Sequence, residues 1–160
     1  MHGFLVTTSY WIHEFFTTTV LIGAGGLVVL HMYAKREWQY IIALISGLVV
    51  TSGAVYALKN IFQVPRPIDA YILETGYAMP SGHASLSFFL ATFLIYYIIK
   101  QPDNQFTEFL SCVILGATAI IISASRVFLH VHTLSQVLLG AVLGVGIAFI
   151  AILYTRKNKL

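Results

Sequence analysis

The chain predicts an all-α fold: a polytopic bundle of about five membrane-spanning helices, preceded by a short interfacial segment. Three observations carry this expectation. Of the 160 residues, 58% are hydrophobic and 9% are charged, whereas a soluble domain holds about 25% charged and about 45–50% apolar residues. The charges gather between long apolar runs instead of spreading along the chain. Those runs approach the ~20 residues that cross a hydrocarbon core. Lipid offers no partner to an unpaired backbone N–H or C=O, so such runs are expected to be helical.

The spans are expected at Phe15–Ala34, Trp38–Leu58, Gly82–Ile99, Phe109–Ala124 and Thr133–Tyr154. The fourth is short unless it extends through Ser125 or begins before Phe109. The stretch Met1–Glu14 mixes Phe, Tyr and Trp with two His and a Glu, and reads as interfacial. No basic residue precedes the first apolar run, so it does not read as a signal peptide. The length fits one domain, 1–160, whose motif-bearing part is about 59–136. The single cysteine, Cys112, sits in an apolar run and excludes a disulfide framework. Gly140 and Gly144 form a small-xxx-small pair on the last span, and Gly23, Gly25 and Gly26 thin the first. Such residues allow close helix approach, or reflect the general tolerance of membrane helices for glycine. They specify no oligomeric state.

Charge orients the bundle. With five spans, Lys35, Arg36, Lys100, Arg156, Lys157 and Lys159 fall on one side. Lys59, Arg66 and Arg126 fall on the other. The positive-inside rule then places the C-terminus in the cytoplasm and the second group outside the cell membrane. That arrangement accounts for the net charge of +3 without a nucleic-acid partner.

Three polar islands stand at that outer end: Lys59 to Arg66-Pro67, Pro80-Ser81-Gly82-His83, and Ser125-Arg126 with His132. Spans two and four end there, and spans three and five begin there. Lys59 alone is an ordinary snorkelling anchor. Arg66, held between Pro65 and Pro67 on a stiff turn, offers a planar fork to phosphate oxygens. Ser81 is a good helix N-cap, and a helix start is a ready anion site. Gly82 lets the backbone approach an oxyanion, and His83 lies in the same first turn. An ordinary cap with an interfacial histidine is the plainer alternative. Arg126 is costly at membrane depth and needs a partner. Two facing histidines, His83 and His132, suit a nucleophile and an acid.

These islands resemble the type 2 phosphatidic acid phosphatase (PAP2) superfamily, which also holds acid phosphatases and vanadium haloperoxidases. The family pattern is Lys-x6-Arg-Pro, Pro-Ser-Gly-His and Ser-Arg-x5-His-x3-Asp. The chain matches with Lys59 and Arg66-Pro67, with Pro80-Ser81-Gly82-His83, and with Ser125-Arg126 and His132, in order and at family spacing. The resemblance implies a membrane lipid phosphatase in which His132 attacks phosphorus and His83 protonates the leaving oxygen. It implies that Lys59, Arg66, Ser81, Gly82 and Arg126 hold the phosphoryl oxygens. A lipid phosphate or diphosphate substrate follows, with polyprenyl (undecaprenyl-type) diphosphate or a small phospholipid phosphate as the candidates. A haloperoxidase-like use of the pocket is disfavoured, because the chain is nearly all span.

One position departs from the pattern: Gln136 stands where the family has aspartate. Four residues after His132, it lies on the same face of a helix. Its amide oxygen can orient the ring but supplies no negative charge. A lipid-phosphate-binding protein with weakened or lost turnover is therefore the alternative reading. His130 faces away from His132 and reads as a satisfied interfacial histidine or part of the entrance. Asp69 and Glu74 read as solvated loop charges, with pairing to the cations as the alternative. No cofactor is expected. No metal site is expected either, because the acids are few and scattered and the cations can do the electrostatic work.

Overall fold

The computed structural model describes the backbone of residues 2–15, 18–101 and 104–157, and the side chains of 3–12, 25–101 and 104–157. Met1, Glu14, Gly23 and Lys159 therefore fall outside the described side chains. The described backbone is helical with connecting loops. In order the helices are α1 (His2–Phe15), α2 (Thr18–Ala34), α3 (Trp38–Phe62), α4 (Gly82–Lys100), α5 (Gln105–Phe128) and α6 (Leu134–Lys157). Helices α3 to α6 are long and apolar enough to cross a membrane, and this is an integral membrane protein. The first expected crossing corresponds to α2, whose described apolar stretch, Gly25–Ala34, is shorter. The segment expected to be interfacial forms the helix α1, which packs on α5 and leaves Phe4 and Trp11 exposed.

The fourth crossing extends beyond the expected run at both ends. Asn104 caps it, its side-chain oxygen accepting from the N–H groups of Phe106 (2.9 Å) and Thr107 (3.4 Å). This satisfies donors that the first turn leaves unpaired. At the other end α5 continues through Ser125 and Arg126 to Phe128. Arg126 is thus in the last turn of a membrane helix and not beyond it.

Helix α4 is the centre of the bundle, packed against α3, α5 and α6. Its buried face, Ala84, Ser85, Phe89, Phe93 and Tyr97, follows helical spacing. Phe89 and Phe93 stack with ring centroids 6.0 Å apart. Two glycine contacts bring neighbours close. A Cβ on Gly144 would fall 2.1 Å from the Ser85 carbonyl oxygen, and one on Gly140 2.6 Å from that of Ser81. The small-xxx-small pair therefore serves the α4–α6 contact within this chain. Gly25 and Gly26 differ, since a Cβ there meets nothing within 4 Å.

The two ends of the bundle carry different chemistry. Lys35, Arg36, Lys100, Arg156 and Lys157 gather at one end. There the Glu37 carboxylate accepts from the Tyr97 hydroxyl at 2.5 Å and from the Gln101 amide, tying the α2–α3 connection to α4. At the other end the loop 63–81 crosses over α3, α4 and the α5–α6 turn. The left-handed Gln63 (φ 49°) turns the chain out of α3. Hydrogen bonds from Ala78 N to Val64 O (2.8 Å), Tyr71 N to Leu129 O (3.0 Å) and Ser81 N to Gln136 O (3.1 Å) then fix the loop's course.

Candidate active site

The three polar islands meet at this second end. Lys59, in the last turn of α3, donates to the Tyr77 carbonyl of the covering loop. Arg66 is held from several sides. Its Nε donates to Gly76 O (3.2 Å), its Nη2 to Thr75 O (3.4 Å) and its Nη1 to Val131 O (3.2 Å). Nη1 also lies 3.4 Å from His132 Nε2. The prolines that flank Arg66 thus aim its fork at the α5–α6 turn.

Ser81 takes the N-cap position of α4, but its hydroxyl makes no capping bond. The Oγ is fully buried and without a hydrogen-bond partner among the described residues. A buried hydroxyl left unpaired costs free energy, so this donor suits an oxyanion arriving at the helix start. At Gly82 a Cβ would make only an ordinary contact, 3.5 Å from Val55. His83 follows in the first turn and lines the same cavity as Lys59, Arg66 and His132.

Arg126 is 1% exposed. Its Nε lies 3.3 Å from Ser125 Oγ, and its Nη1 pairs with Glu74 Oε1 at 3.3 Å. Glu74 Oε2 lies 2.8 Å from Arg66 Nη1. Glu74 therefore bridges two arginines and is no solvated loop charge. Burial pushes its carboxyl up, but Arg66, His83, Arg126 and His132 outweigh that and hold it below the usual carboxylate range.

His132 is not on α6 but in the turn before it. Gln136 reaches back from the first turn, and its Oε1 lies 3.1 Å from His132 Nδ1 and 3.0 Å from the Thr133 N–H. The Gln136 N–H in turn donates to Thr133 Oγ1 at 3.5 Å. This is a capping box, Thr-x-x-Gln, in which each end satisfies the other. It also settles the ring. A backbone N–H can only donate, so the amide oxygen must face Thr133 and Nδ1 must be the protonated nitrogen. Nε2 keeps its lone pair and faces the cavity. Burial first, then Arg66 and Lys59, lowers the imidazole pKa to about 4, with Gln136 and Glu74 pulling the other way.

His130 adopts φ 53° and turns outward, as expected from its spacing. Its Nδ1 lies 2.5 Å from Asp69 Oδ2, and its ring lies 5.2 Å from that of Tyr71. Asp69 is therefore paired with a histidine and not with the arginines. The hydrogen bond to His130, and then one from its own backbone N–H, hold that carboxyl below its usual range. Among the described residues no His, Cys, Asp and Glu come together in a metal-binding group.

A cavity of about 700 Å³ opens from this cluster. Lys59, Arg66, Glu74, His83 and His132 line its polar end. Val28, Leu44, Leu48, Leu86, Leu90 and Leu94 line the part that descends between α2, α3 and α4. Gly25 and Gly26 also border it. The arrangement can hold a tetrahedral anion at its head and an apolar chain below.

A model of the PAP2 superfamily matches residues 36–160. The chain is 34% identical over 148 residues to human dolichyldiphosphatase 1, covering 86% of this chain and 60% of that protein. It is 30% identical over 133 residues to lipid A 4'-phosphatase of Helicobacter pylori, covering 79% and 61%. The chain thus spans about 60% of the length of the curated relatives it matches. Its fold superposes on the crystal structure of a transmembrane PAP2 type phosphatidylglycerolphosphate phosphatase from Bacillus subtilis. The TM-score is 0.86 at 22% identity, over 98% of this chain and 79% of that one. At that identity the likeness is one of fold.

Proposed function

The chain belongs to the PAP2 superfamily, and on that premise we propose that it hydrolyses a lipid phosphate monoester or diphosphate without a metal ion, through a phosphohistidine. One observation carries the reading. The unprotonated Nε2 of His132 sits beside Arg66 at the head of an apolar cavity, with its other nitrogen tied to Gln136.

In the first step His132 Nε2 attacks the terminal phosphorus in line. The bond from phosphorus to the departing oxygen breaks, and His83 gives that oxygen its proton. In the second step water attacks the phosphohistidine, His83 takes a proton from the water, and the P–N bond breaks to release orthophosphate. Lys59, Arg66 and Arg126, with the Ser81 hydroxyl and the Gly82 N–H, hold charge on the equatorial oxygens. A positioned nucleophile and fixed cations need little rearrangement during reaction.

Polyprenyl diphosphate is the preferred substrate. The relatives named dolichyldiphosphatase act by name on such a lipid, and the leucine-lined part of the cavity suits a long apolar chain. Phosphatidic acid and phosphatidylglycerol phosphate are the comparison substrates. The site faces away from the cytoplasm, by the charge bias of the opposite end. The test is phosphate release by purified protein in detergent over these lipids, with and without a strong chelator. Release that persists with chelator and favours the diphosphate is expected. Loss with chelator, restored by magnesium, contradicts the metal-free mechanism.

Gln136 favours a second reading, in which the neutral partner leaves a lipid-phosphate-binding protein without turnover. Binding of the same lipids with no phosphate release from any of them would establish it.

A further inference from the structure

Glu74 lies where the reaction needs an anion. Its two carboxylate oxygens reach one nitrogen of Arg66 (2.8 Å) and one of Arg126 (3.3 Å). It lines the cavity together with His83 and His132. A phosphoryl group gripped by both guanidinium groups would need those same donors.

The position is built. Arg66 also donates to the carbonyls of Thr75 and Gly76, the two residues that follow Glu74. Farther along the loop, Tyr71 N bonds to Leu129 O and Ala78 N to Val64 O. The loop is thereby anchored on both sides of Glu74, so that a short swing of the side chain suffices to empty or fill the seat. The reason for an acid here is also local. Arg126 is 1% exposed, and a buried guanidinium needs a counter-charge at every stage of a catalytic cycle.

We propose that Glu74 is an exchangeable counter-ion: the substrate phosphoryl group displaces it from Arg66 and Arg126, and its return expels the orthophosphate product. The consequence follows from how the two ligands bind. A lipid substrate holds the cavity by its tail as well as its headgroup, whereas orthophosphate has only the cationic head. An internal competitor weakens headgroup binding for both. For a saturating membrane substrate that loss costs nothing in rate. For the product it shortens residence, and product release limits many enzymes.

This inference rests on the phosphatase reading for the identity of the product, but its main test is a binding measurement that needs no turnover. Orthophosphate and vanadate affinities are measured by calorimetry on wild type and on Glu74→Gln. The variant keeps the side chain's size and loses its charge. Both anions should bind at least tenfold more tightly to the variant. In steady state KM and the orthophosphate inhibition constant should fall by similar factors, and kcat should fall as release slows. If Glu74 merely orients the arginines, the variant binds both anions more weakly and its KM rises, which overturns the proposal. Unchanged anion affinity overturns it as well. Should Glu74→Gln not fold, Glu74→Asp provides the test, since a carboxylate one methylene shorter grips both arginines less well and should bind orthophosphate more tightly than wild type. A protein that hydrolyses no lipid phosphate, yet gains anion affinity on losing the Glu74 charge, would refute the phosphatase reading and leave the exchange intact.

Discussion

The amide oxygen of Gln136 accepts the Nδ1 proton of His132 at 3.1 Å while holding the Thr133 N–H at 3.0 Å. One side chain therefore closes the start of α6 and sets the tautomer of the candidate nucleophile. What it does not supply is charge. As His132 attacks, its ring becomes cationic, and a neutral amide stabilises that cation less than a carboxylate does.

Gln136→Glu isolates the charge, because it keeps the length and the oxygen that serves the capping box. Turnover should rise by about 10–100-fold if the charge acts here as it does behind a metal-bound histidine. KM should change little, since the gain is confined to the transition state. Gln136→Asp should act in the same direction, with a smaller gain if the shorter chain loosens the Thr133 contact. Steady-state kinetics in detergent on one lipid phosphate checks both. A slower carboxylate variant would mean that the glutamine is tuned to this site.

The same pair sets an acid limb. Attack requires the neutral imidazole, and His132 is depressed to about 4. The nucleophile is therefore neutral at pH 5 and above, and activity that depends on it is lost only as pH falls through about 4. A carboxylate behind Nδ1 favours the protonated ring and raises that value. The acid limb of kcat/KM should accordingly move to higher pH in Gln136→Glu. Comparing wild type and variant on one substrate cancels the substrate's own ionisation. An unmoved limb would assign it to another group.

Much of this was legible in the chain. Charge-free runs marked α3, α4 and α6, and the alternation of their ends brought Lys59, Ser81, Arg126 and His132 to one side before any contact was known. The spacing of Gln136 from His132 predicted their meeting, although the physical link is a capping box and not a shared helix face. The Thr133-x-x-Gln136 signature of that box is present in the sequence. Glu74 was harder to read. Nothing in the loop's local pattern distinguishes an acid that enters the bundle from one that stays in water. Its placement depends on where Arg66 and Arg126 converge, and that is settled by helix packing. The available hint was that the loop facing the three cations carries two acids, Asp69 and Glu74. The contact of Gly144 with Ser85 is likewise a tertiary fact, since glycine is common in membrane helices for other reasons.

That contact yields a stability prediction. Gly144→Ala places a methyl 2.1 Å from the Ser85 carbonyl oxygen, a backbone atom that cannot move aside cheaply. Overpacking of this kind costs about 1–3 kcal/mol. The midpoint of thermal unfolding in detergent should fall by several degrees. Activity should fall too, because Ser81 and Gln136 are joined across the same α4–α6 seam by a 3.1 Å bond. Gly146→Ala, with nothing within 4 Å of the new methyl, should leave both near wild type.

Sidedness is open to direct chemical labelling. Single cysteines in the Asp69–Tyr77 loop, with Cys112 replaced, should react with a membrane-impermeant thiol reagent applied to intact cells. Exposed positions such as Ile68 and Leu73 are suitable neighbours for placement. Labelling that appears only after the membrane is opened would put the site in the cytoplasm and call for an intracellular substrate.

The central claim is that phosphorus becomes bonded to His132. Rapid quenching of the purified protein with a lipid diphosphate radiolabelled in its terminal phosphate tests this most directly. A protein-bound label that is acid-labile and alkali-stable and that maps to the peptide holding His132 is expected. The label should vanish, with turnover, in His132→Ala. A His132→Ala protein that still turns over at the wild-type rate, or a label mapping to any other residue, would contradict it.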